Sequence, residues 1–349
     1  MMRIGLVGCG HIGAAHAHAI TELAAAGLVE ADLSATFDTD PARAERFAER
    51  FGARAFPDLD GLVGAVDVLW ICTWTSGHAS AVRAAADAGR AVFCEKPLGR
   101  NLAEAESVAV ALAAVPHQVG LVLRAAPVFG ELRRRLASGE HGRVLAAVFR
   151  DDQYFPVRGT YRSSWRGEVE HAGGGTLLEH SIHDVDLLRW MLGEPEQVSA
   201  SVAGRFGYAG IDDVAAVSLA FPDGATAQLT SVWHQVTARE SSRRLEVFCE
   251  DALLWTDDDN LGPLRVERSE GTDLVPGERP EWADRLAVAP EHRDALSLYA
   301  APTKRFLDGL AAGRPGAPSA EEALAAHRIV DAAYRSAAAG GAPVGYGLG

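Results

Sequence analysis

The turn Gly8-Cys9-Gly10-His11-Ile12-Gly13 leaves this chain few folds to choose from. It follows an apolar run, Arg3-Ile4-Gly5-Leu6-Val7, and opens an Ala-rich stretch of helical texture. In a strand–turn–helix unit of this kind Gly8 makes the turn, Gly10 lets the backbone approach a pyrophosphate, and Gly13 lets the helix pack tightly on the sheet. The N–H groups of the first helical turn, from His11 and Ile12 onward, then face the phosphates. Asp38 ends the second apolar run, where a carboxylate accepts hydrogen bonds from ribose hydroxyls. It also repels a 2′-phosphate, and Asp40 adds to that repulsion, so the pattern calls for NAD. Arg43, on the helix that follows, is able to offset both charges, which leaves NADP open.

The surrounding texture agrees with the motif. Apolar runs at 3–7, 32–37, 68–73, 91–94 and 118–122 alternate with helical segments such as Ala79 to Ala88 and Ala103 to Ala114. That alternation predicts a doubly wound parallel sheet over residues 1–124. From about residue 125 the pattern changes. A helix from Pro127 to Ser138 leads into longer alternating runs at 143–151, 197–207, 213–221, 225–236 and 243–250, with turns such as Pro222-Asp223-Gly224 between them. These predict a mainly antiparallel or mixed sheet in a second, α+β domain over 125–349. One helix is expected over 176–192 and two more near 298–312 and 319–339; the acidic, Pro- and Gly-rich segment 256–290 reads as a long surface loop. The whole is α/β: a Rossmann domain followed by a substrate domain.

The formal net charge of −14 and the lack of a basic run argue against nucleic-acid binding. No apolar stretch approaches the ~18 residues of a membrane span, and the N-terminal residues enter a strand directly, leaving no room for a signal peptide. Cys9, Cys72, Cys94 and Cys249 form no CxxC pair and read as buried free thiols of a reducing, cytoplasmic compartment.

Two places carry chemistry. The chain has 31 arginines and two lysines, and one of the two, Lys96, follows the run Ala91-Val92-Phe93-Cys94 within Glu95-Lys96-Pro97. It stands where a buried parallel strand ends, the edge at which open α/β sheets bind ligands. An ammonium there can lose its proton when desolvated; a guanidinium cannot. The second place is Gly173-Gly174-Gly175-Thr176 followed by Leu177 to Asp186. On one helix Leu178, Ile182, Val185 and Leu192 share the buried face, and Glu179, His183, Asp186 and Trp190 form a second stripe. His183 one turn from Glu179 suits a general base held by a carboxylate. Two other readings stay open: Thr176-x-x-Glu179 fits a capping box, and His180 with His183 and the nearby acids fits a metal site, although the i, i+3 spacing of the two histidines counts against metal. The loop Arg158-Gly159-Thr160-Tyr161-Arg162-Ser163-Ser164-Trp165-Arg166 mixes forked donors with aromatics, so Arg158, Tyr161 and Trp165 are candidate substrate contacts. His234, after Trp233, is a weaker one.

The glycine turn, Glu95-Lys96-Pro97 and the Gly-Gly-Gly-Thr…His-Asp-x-Asp segment, in this order, resemble the glucose-fructose oxidoreductase / inositol dehydrogenase / rhizopine catabolism (Gfo/Idh/MocA) family across essentially the whole chain. The resemblance implies a Rossmann domain and a second domain on an open sheet whose outer face makes a homodimer or homotetramer. It implies NAD(P)-dependent oxidation or reduction of a sugar or polyol at a secondary hydroxyl. By position Lys96 corresponds to the family's catalytic lysine, His183 to its catalytic histidine, and Arg124 to an arginine lining the substrate site in some members. Glu179 stands where many members have Asp. The usual Thr-Pro-Asn is here Thr73-Trp74-Thr75, with His78 in its familiar place; Thr73, Trp74, His78, Glu95 and Lys96 are expected beside the cofactor. No metal is implied. The expected chemistry has His183 take the hydroxyl proton, oriented by Glu179, while Lys96 stabilises the developing oxyanion; the two roles are exchangeable. Transient oxidation by tightly held NAD, with elimination or glycoside cleavage, and non-catalytic nucleotide sensing are the alternatives.

Overall fold

The computed structural model describes residues 1–158 and 162–346. Two compact units emerge, one of Met1–Val122 with Arg279–Leu324, the other of Leu123–Glu278 with Ala325 onward. The expected division at 124/125 lies within two residues of the first break, but the segment Arg279–Leu324 returns to the first unit.

In the first unit β1 (Met2–Val7), α1 (His11–Ala25), β2 (Ala31–Phe37), α2 (Pro41–Phe51), β3 (Arg54–Ala55), α3 (Leu59–Ala65), β4 (Val68–Ile71), α4 (His78–Asp87), β5 (Ala91–Cys94), α5 (Leu102–Leu112) and β6 (His117–Val119) alternate. The strands form one six-stranded sheet in the order β3-β2-β1-β4-β5-β6, every pair parallel. Alternation along β4 shows why: Leu69 and Ile71 enter the core on one face with Val82 and Val108, while Val68 and Trp70 enter the other with Ile4, Leu6 and Phe93. A strand buried on both faces needs a continuous apolar run, and Val-Leu-Trp-Ile provides it. Each such side chain contributes about 1.5–3 kcal/mol by leaving water.

The second unit contains α6 (Pro127–Ser138), β7 (Val144–Tyr154), α7 (Val169–Ala172), α8 (Ile182–Leu192), β8 (Gln197–Ala203), β9 (Val214–Ala220), β10 (Thr226–His234), β11 (Ser242–Cys249), β12 (Leu253–Thr256), β13 (Leu264–Arg268) and β14 (Gly271–Val275). The long α9 (Pro290–Ala311) belongs to the first unit, α10 (Ala320–Ala338) begins in the first and ends in the second, and β15 (Val344–Gly345) closes the chain's described part. Nine strands make one sheet, β14-β13-β12-β11-β7-β10-β9-β8-β15. It is antiparallel except between β10 and β7.

Two expectations need correction. The segment 256–290 is not one surface loop, because β13 and β14 extend the sheet within it. Charge hid them: only Leu264 and Val266 of β13 are buried, and β14 is largely exposed. The helix expected over 176–192 is broken as well. Residues Thr176–His180 form a single π-type turn, and the α-helix proper starts at Ile182. No described helix is long and apolar enough to cross a membrane.

Candidate active site

The glycine turn is shaped by two kinds of pressure. A Cβ on Gly8 would lie 2.6 Å from the Cys72 backbone, and one on Gly13 would lie 2.2 Å from the Gly8 carbonyl oxygen. Both glycines are therefore required by the protein's own packing. At Gly10 a Cβ would meet nothing within 4 Å. The chain gives no internal reason for glycine there; a pyrophosphate laid over the start of α1 does, so the turn fits a dinucleotide.

Asp38 is buried and joins that turn to its own loop: Oδ2 accepts from Cys9 N–H at 2.8 Å and Oδ1 from Asp40 N–H at 2.9 Å. Arg43 lies over the two acids, 3.6 Å from Asp38 and 3.7 Å from Asp40. The four cysteines are free and buried. Burial and the Asp38 charge push the Cys9 thiol up to about 12, so it stays a neutral thiol.

Glu95 and Lys96 follow β5. The Glu95 carboxylate turns inward, with Oε1 2.8 Å from His16 Nε2 and Oε2 accepting the Lys96 N–H at 3.1 Å. His78, at the start of α4, is buried with its ring nitrogens toward the carbonyls of Pro97 and Thr73. Thr73 and Trp74, half-buried, form the loop after β4, where the Thr73 hydroxyl donates to the Trp74 carbonyl at 2.9 Å.

In the second unit, three glycines precede the π-type turn, Gly173 in the left-handed region at φ 83° and the other two for reasons of space. A Cβ on Gly174 would come within 2.6 Å of the Tyr334 hydroxyl, and one on Gly175 would overlap the Asp212 carbonyl at 1.7 Å. Asp212 caps the turn from outside. Its carboxylate accepts from the N–H groups of Gly175 and Leu177 at 2.8 and 2.9 Å, and its carbonyl from Thr176 N–H at 2.7 Å. The capping box is not formed: Thr176 bonds the Ser231 hydroxyl instead, at 2.7 Å. With the N–H groups drawn to Asp212, Ser181 N–H reaches back five residues to the Thr176 carbonyl, which widens the turn.

Glu179 sits in this turn, 3 % exposed, with Oε2 3.3 Å from Arg166 Nε. His183 lies in the first turn of α8, 8 % exposed. The two therefore belong to different elements, Glu179 to the π-type turn and His183 to α8. Further along α8, Asp186 accepts from Arg124 Nε and Nη2, at 2.7 and 2.6 Å, and the guanidinium lies over the Trp190 ring. Arg158 is exposed, its guanidinium 5.9 Å from the Tyr208 ring centre, and Trp165 is half-buried under Arg166. Tyr161 lies outside the described residues. His234 Nδ1 accepts from Val236 N–H at 3.0 Å, and the ring stands edge-on to Tyr154.

Sequence reasoning missed a buried ionic cluster beside this turn. Arg243 on β11 faces Asp151 on β7 and Asp184 on α8, each at 3.1 Å, and Asp259 at 2.6 Å. His180 Nε2 lies 2.8 Å from Asp151 and 3.1 Å from Arg243, which accounts for the second histidine of the metal alternative. Burial and the Asp151 charge push Asp184 well above the usual carboxylate range. Arg243 and His180 hold Asp151 below it against burial, so the shared proton resides on Asp184. Among the described residues no three His, Cys, Asp or Glu side chains group to hold a metal ion.

Comparison with known proteins gives this geometry a context. Residues 2–121 match the family model described as "Oxidoreductase family, NAD-binding Rossmann fold", and residues 129–254 match the GFO/IDH/MocA C-terminal domain. The chain is 31 % identical over 351 residues to the inositol 2-dehydrogenase of Rhizobium meliloti, covering 97 % of each. It is 31 % identical over 325 residues to the 1,5-anhydro-D-fructose reductase of Ensifer adhaerens, covering 89 % of this chain and 92 % of that one. In fold it is similar to levoglucosan dehydrogenase, solved with NADH and L-sorbose, with a TM-score of 0.86 at 21 % identity over 99 % of this chain and 98 % of that one. With both family models matched in order over residues 2–121 and 129–254, and a relative 31 % identical over 97 % of the chain, the chain belongs to the Gfo/Idh/MocA oxidoreductases, whose first domain is an NAD-binding Rossmann fold.

Proposed function

We propose that this protein is an NAD-dependent dehydrogenase that acts between a secondary hydroxyl and its ketone in a cyclic polyol or sugar. The observation that carries the reading is Lys96 at the C-terminal end of β5, in the same sheet as the glycine turn whose Gly10 is open to a ligand. Relatives of similar identity are named for inositol and for an anhydro-sugar, both rings bearing several hydroxyls, and the substrate class follows from them.

NAD, when bound, supplies the hydride acceptor. The Gly8–Gly13 turn and the N–H groups opening α1 hold its pyrophosphate, and Asp38 meets its ribose. Lys96 donates a hydrogen bond to the reacting oxygen and stabilises the charge that develops as the O–H proton leaves. His183 accepts that proton, and Glu179, set by Arg166, keeps a negative charge nearby to favour the imidazolium. Arg124, whose Nε and Nη2 donate to Asp186, fixes α8 and so steadies His183 on the same helix. Four free thiols support a reducing, cytoplasmic setting. Val148 and Phe248, 41 % and 40 % exposed on neighbouring strands β7 and β11, support assembly through the open sheet as a dimer or tetramer.

A panel of inositols, pyranoses and glycosides with NAD, followed at 340 nm, tests the reading. Stoichiometric NADH is expected. An elimination or cleavage product without NADH would replace it with transient oxidation.

Glu179→Gln is expected to lower kcat tenfold or more with little change in thermal midpoint, because the turn is capped by Asp212 and not by Glu179. Unchanged turnover would remove the carboxylate from the chemistry.

Cofactor choice should follow the three charges after β2. We expect kcat/KM for NAD to exceed that for NADP by about tenfold, roughly 1.4 kcal/mol. Arg43→Ala is expected to widen the ratio, since it uncovers Asp38 and Asp40. Equal efficiency with both cofactors in the wild type would overturn the NAD preference.

A further inference from the structure

Two buried histidines of the first unit have no part in the chemistry above, His16 and His78. His78 is 1 % exposed. Its Nδ1 lies 2.8 Å from the Pro97 carbonyl oxygen and its Nε2 3.3 Å from that of Thr73. A carbonyl oxygen only accepts, so the shorter contact places a ring proton on Nδ1, donated to Pro97. Pro97 directly follows Lys96, and Thr73 stands in the loop after β4. Because β4 and β5 are adjacent parallel strands, this one donated bond ties the start of α4, directly after the loop that follows β4, to the turn after β5 at the C-terminal edge of the sheet.

The other flank of Lys96 is fixed independently. Its N–H is held by Glu95, which is held in turn by His16. His16 is fully buried, its ring packed edge-on to Phe93 and Tyr299 at 4.9 and 5.2 Å. The Glu95 carboxylate only accepts, so Nε2 carries the proton that faces it; Nδ1 has no hydrogen-bond partner among the described residues. Gly120 leaves room for the Glu95 carboxylate, which a Cβ there would approach to 2.5 Å. With the Glu95 side locked, the remaining freedom of this three-residue turn lies at Pro97, where His78 binds.

We infer that His78 is a positioning residue for Lys96: by holding the Pro97 carbonyl against the loop after β4, it fixes the backbone from which the Lys96 amine is presented. This role is distinct from the cofactor contact expected of His78 from the resemblance, since it runs through the ring nitrogen that faces the Pro97 carbonyl. The inference rests on the reading of Lys96 as the donor to the reacting oxygen. A displacement of that donor by about 1 Å is enough to cost ~10²-fold in rate.

The test uses the scarcity of lysine. Lys96 and Lys304 are the chain's two lysines, so reductive ¹³C-methylation of the full-length protein yields two side-chain NMR signals besides the N-terminal amine, assigned with Lys96→Arg. In His78→Leu the Lys96 signal is expected to shift or broaden while that of Lys304 stays. His78→Asn places an N–H where the imidazole Nδ1–H stood and should retain the wild-type Lys96 signal. His78→Gln places its N–H at the Nε2 position and should not. Kinetics with NAD and the polyol or sugar found in the panel add a second readout. His78→Leu should lower kcat about tenfold in the wild type, yet less than twofold in a Lys96→Met background, because a residue that acts through Lys96 has nothing left to act on. An unmoved Lys96 signal in His78→Leu, or an equal loss in the Lys96→Met background, would overturn the positioning role. If His78→Leu does not fold, the Asn and Gln variants decide, and equal Lys96 signals in those two would overturn it. A displaced signal with unchanged kcat would leave the positioning role standing and remove Lys96 from catalysis.

Discussion

Lys96→Arg is expected to lower kcat by ~10²–10³-fold, the usual cost of removing an oxyanion donor, with NAD affinity within about threefold of wild type. Arginine keeps the positive charge but is bulkier, stays protonated, and spreads its donors over a planar fork in place of one compact head. The backbone at this position does not adapt to the longer side chain, because its N–H is held by Glu95 and the next carbonyl by His78. NAD affinity is spared because the pyrophosphate and ribose are held from the glycine turn and Asp38. Steady-state turnover and a fluorescence titration with NAD separate the two effects. A variant within threefold of wild-type kcat would take Lys96 out of the chemistry.

The largest loss of stability is expected from Arg243→Met, about 3–5 kcal/mol at pH 8, because removing one partner leaves buried charge uncompensated. Arg243 is the cation common to Asp151, Asp184 and Asp259, and the first two acids are almost wholly buried. The sign of the pH dependence follows from the two carboxyl groups. Asp151, held below its unfolded value, contributes stability above that value and loses it as pH falls through the folded one. Asp184, raised above its unfolded value, contributes stability in acid and loses it as pH rises through its folded value. Without Arg243 the downward pull on Asp151 is gone and both acids resist ionisation. The deficit should therefore grow with pH, and denaturant unfolding at pH 5.5 and pH 8 should show the larger gap at pH 8. An equal deficit at both would mean that Arg243 acts through packing alone.

The parallel sheet was legible because its evidence is local. A strand buried on both faces must be apolar throughout, and a glycine turn between strand and helix carries its own spacing. The structure separates the three glycines of that turn, since Gly8 and Gly13 are needed by the chain's own packing and Gly10 is not. The π-type turn was not legible. It depends on Asp212, 36 positions beyond Thr176, and on the Ser231 hydroxyl, and no helical periodicity announces either. Without them Thr176-x-x-Glu179 looks like any capping box. The Asp151–Asp184–Arg243–His180 cluster was hidden for the same reason: its members lie on β7, α8, β11 and the turn, and meet only once β7 and β11 have paired. Strands β13 and β14 escaped because they lie at the sheet's end with most side chains toward water, where apolar alternation fades.

The return of Arg279–Leu324 to the first unit bears on how the chain is made. Phe306 and Leu307 of α9 complete the cluster around Ile4, Leu6, Trp70 and Phe93, and Leu296, Tyr299 and Ala300 cover Ala19 and Leu23 of α1. When β6 leaves the ribosome, one face of its sheet still lacks that cover. At synthesis rates of ~5–20 residues per second, the residues from Val122 to Leu307 take roughly 10–40 s to follow. For that interval the nascent nucleotide-binding sheet presents an aromatic surface to the cell, and the second unit is synthesised while the first waits to be finished.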